Sequence, residues 1–353
     1  ALRTWERYKS RNFAVEFETR TYWFTVVAEI YNAMMTQQAD NGVTGIDAER
    51  KAVYKAARLE EIANCNFKFL YFQQDKQTDE SWYYTRIEFP HGRHTIKNTF
   101  SGGQVATASE FKKRLLSIAP GALYTGNSVQ LNWLVKHYLD NIKIVETTDF
   151  IGYSKEHGVY VFNDRAVSAG KVIEINDEDF FEVGKTSIKS LNQSLNLHIG
   201  DATDYNDKWA DMVYSAYGAK GLIATAFFMG SLFAEQIRAK QKSFPFLEIV
   251  GEAGAGKSTL IEFLWKLVGR SDYEGFDPNK STLAARARIF SQVSNLPICL
   301  IESDREDSTK AKQFDWDELK TAYNGRASRA RGVKNGGNET SEPPFRGSGV
   351  ISQ

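Results

Sequence analysis

A glycine-rich stretch, GEAGAGKS at residues 251–258, has the residue types and the spacing of a phosphate-binding loop. It matches the pattern GxxxxGK[ST], in which glycines let consecutive backbone N–H groups point at phosphate oxygens. An apolar run, FPFLEIVG (244–251), precedes it, and a helical pattern, STLIEFLWKLVG (258–269), follows it. A strand that leads into the loop and a helix that starts from it form the context in which this pattern is specific.

The residues of this stretch have expected roles in binding ATP and Mg²⁺. Lys257, which we also expect to act in catalysis, would neutralise β- and γ-phosphate oxygens, and the hydroxyl of Ser258 would hold the Mg²⁺. The N-terminus of the following helix would add partial positive charge. A glycine-rich turn without a ligand is the alternative. The predicted ATP-binding residues are Gly251, Gly254, Ala255, Gly256, Lys257, Ser258 and Thr259.

A second chemical motif lies in LPICLIESD (296–304), where four apolar residues are followed by acids. We expect a strand next to the one before the glycine-rich stretch. Glu302 would then contact Mg²⁺ directly or through water. The next position often holds a glutamate that polarises the attacking water, but here it is Ser303, so either Asp304 or Glu302 would take that role. An ordinary buried strand with acids at its solvent end is the alternative.

The third candidate is a basic, turn-rich segment at the end of the sequence. Glycines, asparagines and a proline pair predict a hairpin or a loop. Basic residues on a protruding turn suit contacts with nucleic-acid phosphates. A solvated basic face, or an arginine that reaches the nucleotide of a neighbouring subunit, are the alternatives. The basic residues are Lys320, Arg326, Arg329, Arg331, Lys334 and Arg346, against only Glu339 and Glu342.

Composition limits the classes of protein to consider. The 353 residues suffice for two domains, and 44 Lys+Arg balance 44 Asp+Glu, so a nucleic-acid partner must be met by a local basic patch. Cys65 and Cys299 lie far apart, which excludes a disulfide scaffold and fits a cytoplasmic location. The longest apolar stretch, 221–234, falls short of the about 20 residues that span a bilayer and predicts a buried helix.

Periodicity divides the chain into an α+β front half and an α/β back half. The polar stretch 195–207 is the predicted domain boundary. The chain starts without Met and ends in an apolar run, so we expect a fragment of a longer protein. The predicted elements are mainly helix over 1–60 with one helix at 47–64, an aromatic hairpin at 65–100, amphipathic helices at 108–121 and 127–142, strands over 148–176 and a helical block at 207–241.

Weaker candidates also have plain structural explanations. HGRH (91–94) offers two histidines for a metal but is more typical of a surface turn. The acids of NDEDFFE (176–182) suit a solvated loop. Arg286 and Arg288 suit a subunit interface, DNA contacts or a helix surface equally well.

The three main motifs, in this order, resemble the superfamily 3 helicase branch of the AAA+ ATPases. More narrowly, they resemble the helicase region of phage or integrative-element TOPRIM-type primase-helicases. The resemblance runs from about residue 105 onward, and its most discriminating part is LKTAYNGRASRARG followed by PPFRGSGVISQ. The stretches that carry it are YTGNSVQL (124–131), DFIGYSKEHGVYVFN (149–163), residues 231–267 and FDWDELKTAYNGRASRARGVKNGG (314–337).

The resemblance implies an α/β fold in which an α+β accessory or oligomerisation domain (1–206) precedes a helical linker and a P-loop NTPase (AAA+-like) core with a parallel sheet (207–353). That core would be incomplete at its C-terminus, because GVISQ (349–353) would be the strand that leads to the family's sensor, with the arginine finger following. Neither the TOPRIM acids nor a zinc-ribbon cysteine set occurs. The implied DNA contacts, on a hairpin that lines the pore, are Lys320, Arg326, Arg329, Arg331 and Lys334.

The function implied is an ATP-dependent DNA helicase or translocase that acts on single-stranded or forked DNA, without a membrane. Its cofactors would be ATP and Mg²⁺, and its assembly a hexameric ring with ATP between subunits. Six copies of a modest basic patch would concentrate charge in one channel. The alternatives are a non-motor ATPase switch in defence or signalling and, less favoured, a small-molecule kinase.

Overall fold

The fold is known from a computed structural model of the chain. The chain forms two compact units, Ala1–Gln74 with Glu80–Val145, and Glu146–Gln353. Strand β7 (Lys143–Thr148) crosses this division. The structure describes residues 1–75, 80–92, 94–192, 195, 197–198, 206–271, 273–301, 314–326, 331–332 and 340–353.

The first unit packs helices against two groups of strands. Strands β1, β2 and β3 form an antiparallel sheet around Phe13 and Phe24, and β4, β5 and β6 surround a larger core with Phe67 and Phe111. The elements of this unit are α1 (Leu2–Tyr8), β1 (Asn12–Phe17), β2 (Arg20–Val26), α2 (Ala28–Asp40), α3 (Ile46–Ala56), β3 (Ala57–Ala63), β4 (Asn66–Asp75), β5 (Glu80–Glu88), β6 (Ile96–Phe100), α4 (Gly102–Ala106), α5 (Ala108–Ile118) and α6 (Ser128–Leu139).

The first 60 residues contain more strand than the sequence predicted. β1 and β2 pair as a hairpin whose turn places Glu18 and Thr19 at φ values of 47° and 58°. The helix predicted over 47–64 ends at Ala56, and the chain continues as β3, which pairs with β2. Here pairing with a distant strand overrides the helix propensity of ARLEEIA. The mainly helical prediction for this region is therefore confirmed for α1, α2 and α3 and wrong for β1, β2 and β3.

The predicted helices that follow the aromatic strands are confirmed. Thr107 caps α5 by accepting a hydrogen bond from the Glu110 N–H at 3.4 Å. Asn127 caps α6 in a capping box, in which its carboxamide accepts from the Gln130 N–H and the Gln130 side chain accepts from the Asn127 N–H. The two aromatic strands predicted over 65–100 are present as β4 and β5, which are neighbours in one sheet, and the predicted turn between them lies outside the described residues.

The second unit has a seven-stranded mixed sheet with the order β11-β10-β9-β8-β15-β18-β14. β14, β18 and β15 run parallel, and β8 to β11 form an antiparallel meander. The elements are β8 (Ile151–Ser154), β9 (Val159–Val161), β10 (Arg165–Ser168), β11 (Lys171–Glu174), β12 (Phe181–Val183), β13 (Thr186–Ser190), α7 (Trp209–Ser231), α8 (Ala234–Gln241), β14 (Leu247–Ile249), α9 (Lys257–Leu267), α10 (Leu283–Ser291), β15 (Val293–Ile301), α11 (Leu319–Tyr323), β16 (Arg331–Gly332), β17 (Thr340–Ser341) and β18 (Arg346–Ser352).

Both faces of this sheet are covered. Cys299 of β15 packs with α7 and α9, whereas Ile298 and Leu300, which alternate with it, pack with α10 and α11. A parallel strand covered on both faces is buried along nearly its whole length, as β15 is, and its stretch from Leu296 to Ile301 is apolar. The chain is thus a mixed α/β protein with parallel strands, as the sequence predicted. The division after Val145 differs from the predicted boundary near 206, because β8 to β11 continue the sheet of β15.

The apolar stretch 221–234 forms the end of α7 and the start of α8, so the predicted helix is present. Its burial is confined to one face, which includes Ala224 and Phe228, whereas Ile223 and Phe233 are 63% and 53% exposed. Among the described residues, no single helix is long and apolar enough to cross a membrane, but α7 and α8, bent by 87°, pass this test of length and composition when taken together.

Glu235, near the start of α8, is a partly buried acid. Its Oε2 accepts no hydrogen bond within the described part of the chain. Burial raises its pKa, more than the nearby charges of Arg346, Lys155 and Arg238 lower it. Because the folded state then holds the proton more tightly than the unfolded chain, the cost of ionisation grows as the pH rises above the ordinary value of 4.5.

We therefore expect Glu235→Gln to raise the free energy of unfolding at pH 7 by about 1 kcal/mol. Below pH 4.5 the variant should be about as stable as the wild type, because the glutamic acid and the glutamine are then both neutral. Urea denaturation at the two pH values measures this difference. The exposed Glu262→Gln on α9 is the control. A loss of stability in Glu235→Gln at pH 7 would show that the three cations outweigh burial.

Candidate functional site

The strand, loop and helix predicted around the glycine-rich stretch are all present. β14 ends at Ile249, α9 begins at Lys257, and we call residues 250–256 between them the glycine loop. Gly254 and Gly256 have φ values of 81° and 82°, in the left-handed region that residues with a Cβ rarely adopt. Such turns orient successive N–H groups toward a common point, which is the geometry of an anion-binding loop.

Lys257 lies over the glycine loop. Its Nζ donates to the carbonyl oxygens of Gly251 at 2.5 Å and Glu252 at 3.0 Å, so the ammonium is held at the mouth of the loop. Ser258 and Thr259, on the first turn of α9, are exposed. The first bond of the helix runs from the Leu260 N–H to the Gly256 carbonyl at 3.0 Å. Positive charge and helix N–H groups therefore face the same solvent-accessible space.

Helix α9 is anchored to the sheet by one face. Leu260, Ile261, Leu264 and Trp265 are buried, a spacing that places them on one side of the helix. The Trp265 indole donates to the Cys299 Sγ of β15 at 3.2 Å. Burial raises the pKa of Cys299 to about 12, so the sulfur stays a neutral thiol. The start of the helix is thereby fixed relative to the parallel strands.

The three parallel strands end in the same row. Ile249 pairs with Ser352, and Ser352 pairs with Ile301. The C-terminal ends of β14 and β15 therefore lie at the same edge of the sheet, the edge from which the glycine loop leaves. The predicted acids Glu302 and Asp304 lie outside the described residues, but the strand that leads to them ends beside the loop. We expected β15 to lie directly next to β14. Instead β18 lies between them, so β15 is the second strand from β14.

A cavity of about 420 Å³ adjoins the glycine loop. α7 contributes Tyr217, Gly221 and Ala224, and Leu247 and Lys257 line the side of β14 and α9. Two lysines, Lys220 and Lys257, and Glu248 also line this cavity, and apolar walls with charged groups suit a ligand with a flat apolar part and a charged part.

Tyr217 is a site residue that the motif analysis missed. Its hydroxyl donates to the Gly256 carbonyl at 3.4 Å, and its ring lies 3.4 Å from where a Cβ on Gly256 would be. Gly221 makes room for it, since a Cβ there would approach the Tyr217 Cβ to 2.6 Å. Gly218, with φ 61° and ψ −153°, interrupts the helical backbone immediately after it. The sequence signal was a pair of glycines in a helix.

The basic segment forms a hairpin in its described part. β16 and β17 pair antiparallel, with Arg331 opposite Ser341. Lys320 is exposed on α11, where its Nζ lies 2.7 Å from the Asp317 carboxylate, and Arg326 is exposed just beyond that helix. An exposed pair of this kind contributes little stability and leaves Lys320 accessible. Of the other predicted DNA contacts, Arg329 and Lys334 lie outside the described residues, and the structure does not place the side chain of Arg331.

Arg286 belongs to the core rather than to a surface. It is buried, its Nη1 donates to the Pro278 carbonyl at 2.9 Å, and its guanidinium lies 4.9 Å from the Phe314 ring centroid. The interface and DNA roles considered for it are therefore wrong, whereas Arg288 is exposed. Among the described residues, which include His91 but not Glu302, no group of three or more potential metal ligands occurs.

Comparisons with known proteins assign neither a family nor a function to this chain. No protein-family model matches the chain, and no curated protein matches it. Among solved structures, the A form apo structure of the NrS-1 C-terminal region (CTR) is similar to this chain, with a TM-score of 0.35 and 10% identity. The match covers 80% of this chain and 53% of that one, so the chain spans about half the length of the matched structure. A TM-score of this size assigns no fold.

Proposed function

We propose that this chain is the helicase or translocase part of a mobile-element replication (primase-helicase) protein, with a P-loop NTPase core of the AAA+ type that couples ATP hydrolysis to movement on single-stranded DNA. The observation that supports this best is the glycine loop. It carries left-handed glycines, a lysine ammonium and a helix N-terminus at the edge where three parallel strands end in register.

ATP would bind with its phosphates in the glycine loop. The loop N–H groups and the start of α9 would contact the β-phosphate, and Lys257 would turn from the carbonyls of Gly251 and Glu252 to the β/γ oxygens. The exposed hydroxyl of Ser258 would hold Mg²⁺. The cavity between α7 and β14 would accept the base, with the Tyr217 ring as one wall.

Glu302 and Asp304 would complete the site. They follow β15, whose last residue Ile301 is in register with the start of the glycine loop through β18. A carboxylate at this edge would ligate Mg²⁺ directly or through water, and a second would orient the attacking water. We assign the contact with Mg²⁺ to Glu302. Either Glu302 or Asp304 would orient the attacking water.

DNA would bind through Lys320, Arg326, Arg329, Arg331 and Lys334. The exposed positions of Lys320 and Arg326 and the pairing of β16 with β17 support a basic hairpin that is open to a partner. The chain has no net charge, so DNA binding requires basic residues to be concentrated in one local patch. A homo-oligomeric ring, hexameric by the resemblance to AAA+ helicases, would bring several copies of the hairpin to one strand.

The experiment that separates this function from its rivals is phosphate release from ATP with and without single-stranded DNA. We expect DNA to raise the rate about fivefold or more, the range of ordinary allosteric coupling. A rate that is indifferent to DNA would favour the non-motor switch. A phosphorylated small molecule in place of free phosphate would identify a kinase.

Tyr217→Phe is expected to weaken ATP binding about threefold, because it removes one hydrogen bond to the loop but keeps the ring. Tyr217→Ala should weaken binding further, since the wall of the cavity is also lost. Titration with a fluorescent ATP analogue measures both effects. The control is Tyr214→Phe, a tyrosine on the same helix that is 58% exposed. Equal ATP affinities for the wild type and all the variants would show that Tyr217 does not contribute to ATP binding.

A further inference from the structure

Arg238 of α8 is a buried cation that contacts backbone rather than an acid. Its guanidinium has three carbonyl acceptors, each at 3.4 Å: Nε donates to Tyr323, Nη2 to Ala322 and Nη1 to Phe345. The residue is 8% exposed, and its guanidinium lies 5.3 Å from the ring centroid of Phe345. An arginine placed in this way binds the chain itself, because its planar fork serves several divergent acceptors.

The three carbonyls belong to the two ends of the basic segment. Ala322 and Tyr323 end α11, and Phe345 immediately precedes β18. Gly325 packs against the arginine stem, where an added Cβ would lie 3.0 Å from the Arg238 Cδ. We call residues 322–325 and 345 the hairpin root. One side chain thus holds together both ends of the segment that carries the predicted DNA contacts.

The hairpin root is also joined to the strand that feeds the glycine loop. The Phe244 N–H donates to the Tyr323 carbonyl at 3.2 Å, and the Phe246 and Tyr323 rings meet edge to face at 6.0 Å. Phe246 directly precedes β14. On the other side of the root, β18 runs parallel to β14. Both connections from the root therefore lead to β14, whose other end opens into the glycine loop.

The chemistry of this contact requires arginine. Burial lowers the pKa of Arg238 to about 10, which still leaves the guanidinium charged at neutral pH. The carbonyls of Ala322 and Tyr323 are at the C-terminal end of α11, where acceptors lack partners within the helix. A lysine at this position would keep the charge but offer a single ammonium to acceptors that lie on two separate segments.

We propose that Arg238 is a positioning residue that holds the hairpin root in contact with Phe244 and Phe246, just before β14, and so couples nucleotide binding in the glycine loop to the basic segment. The transmission rests on the proposed ATPase function, whereas the fixing of the root does not.

Amide hydrogen exchange on the whole chain tests the fixing of the root. In Arg238→Lys and Arg238→Met, the amides of Phe244, Gly325 and Arg326 should exchange about tenfold faster or more, as expected for a local opening, with α9 unchanged. Lys240→Met, which removes an exposed charge from the same helix, should match the wild type. Unchanged exchange at the root in both Arg238 variants would overturn the proposal. Lost protection throughout α9 and β15 would also overturn it, because Arg238 would then be a general core residue.

Steady-state ATPase kinetics tests the transmission. Both Arg238 variants should keep the KM for ATP within about twofold of wild type while losing the increase in kcat that single-stranded DNA causes. Lys240→Met should retain that increase. An intact DNA response in the Arg238 variants would contradict transmission through this contact. If the wild type hydrolyses no ATP, the proposed function fails, and hydrogen exchange at the root still decides the structural role of Arg238.

Discussion

Lys257→Ala should lower ATP hydrolysis by about 100-fold or more, the usual effect of removing one preorganised charge stabiliser from a reacting group. The ammonium of Lys257 is held 2.5 Å from the Gly251 carbonyl, at the mouth of the glycine loop and beside the N-terminus of α9. Removing it leaves the N–H groups but no mobile cation for the γ-phosphate. Phosphate release at saturating ATP and titration with a fluorescent ATP analogue measure the losses of rate and affinity separately.

The matched control is Lys266→Ala, which removes an exposed lysine from the last turn of the same helix. It should leave both the rate and the affinity unchanged. If Lys257→Ala hydrolysed ATP at the wild-type rate, the glycine loop would not be the catalytic site. A purely structural explanation is tested by thermal unfolding, since the exposed loop contributes little to the core and Lys257→Ala should unfold as the wild type does.

Replacing the basic hairpin charges should abolish most DNA binding. The quadruple variant Arg326→Ala, Arg329→Ala, Arg331→Ala and Lys334→Ala removes four predicted phosphate contacts. Because each contact with single-stranded DNA contributes about 0.7 to the slope of log affinity against log salt, the slope should fall by about three. Affinity at low salt should fall on the order of 100-fold. Fluorescence anisotropy of labelled oligonucleotides over a salt series gives both values.

A control with equal loss of charge uses exposed lysines of the first unit, Lys51, Lys55, Lys112 and Lys136, each changed to alanine. It should keep the wild-type salt slope. Should both quadruple variants lose affinity equally, net charge rather than the hairpin would govern binding. Basal ATP hydrolysis without DNA should be unaffected in the hairpin variant, because its substitutions lie outside the glycine loop.

The local part of the candidate site could be predicted because its signal is contiguous. A strand, a glycine loop and the helix that follows them occupy neighbouring residues, and the structure forms each of them. The same holds for α5 and α6, whose capping residues directly precede them. The local structure of such elements depends on backbone conformation and on hydrogen bonds between residues close in sequence, and both can be predicted from sequence patterns.

Contacts made across long sequence separations could not be predicted in this way. Arg238 meets its three carbonyl partners 84 to 107 positions further along the chain, and nothing near it in the sequence indicates them. Tyr217 reaches Gly256 across 39 positions. Likewise, the hairpin β1–β2 takes its partner β3 from a stretch with helix propensity. The position of β18 between β14 and β15 is also a property of tertiary pairing.

The most direct test of the central claim is amide hydrogen exchange of the whole chain with and without MgATP. If the glycine loop binds the nucleotide, the amides of residues 251–259 should become protected, and Lys257→Ala should lose this protection at the same ATP concentration. Unchanged exchange at these amides in the presence of saturating MgATP would contradict the account.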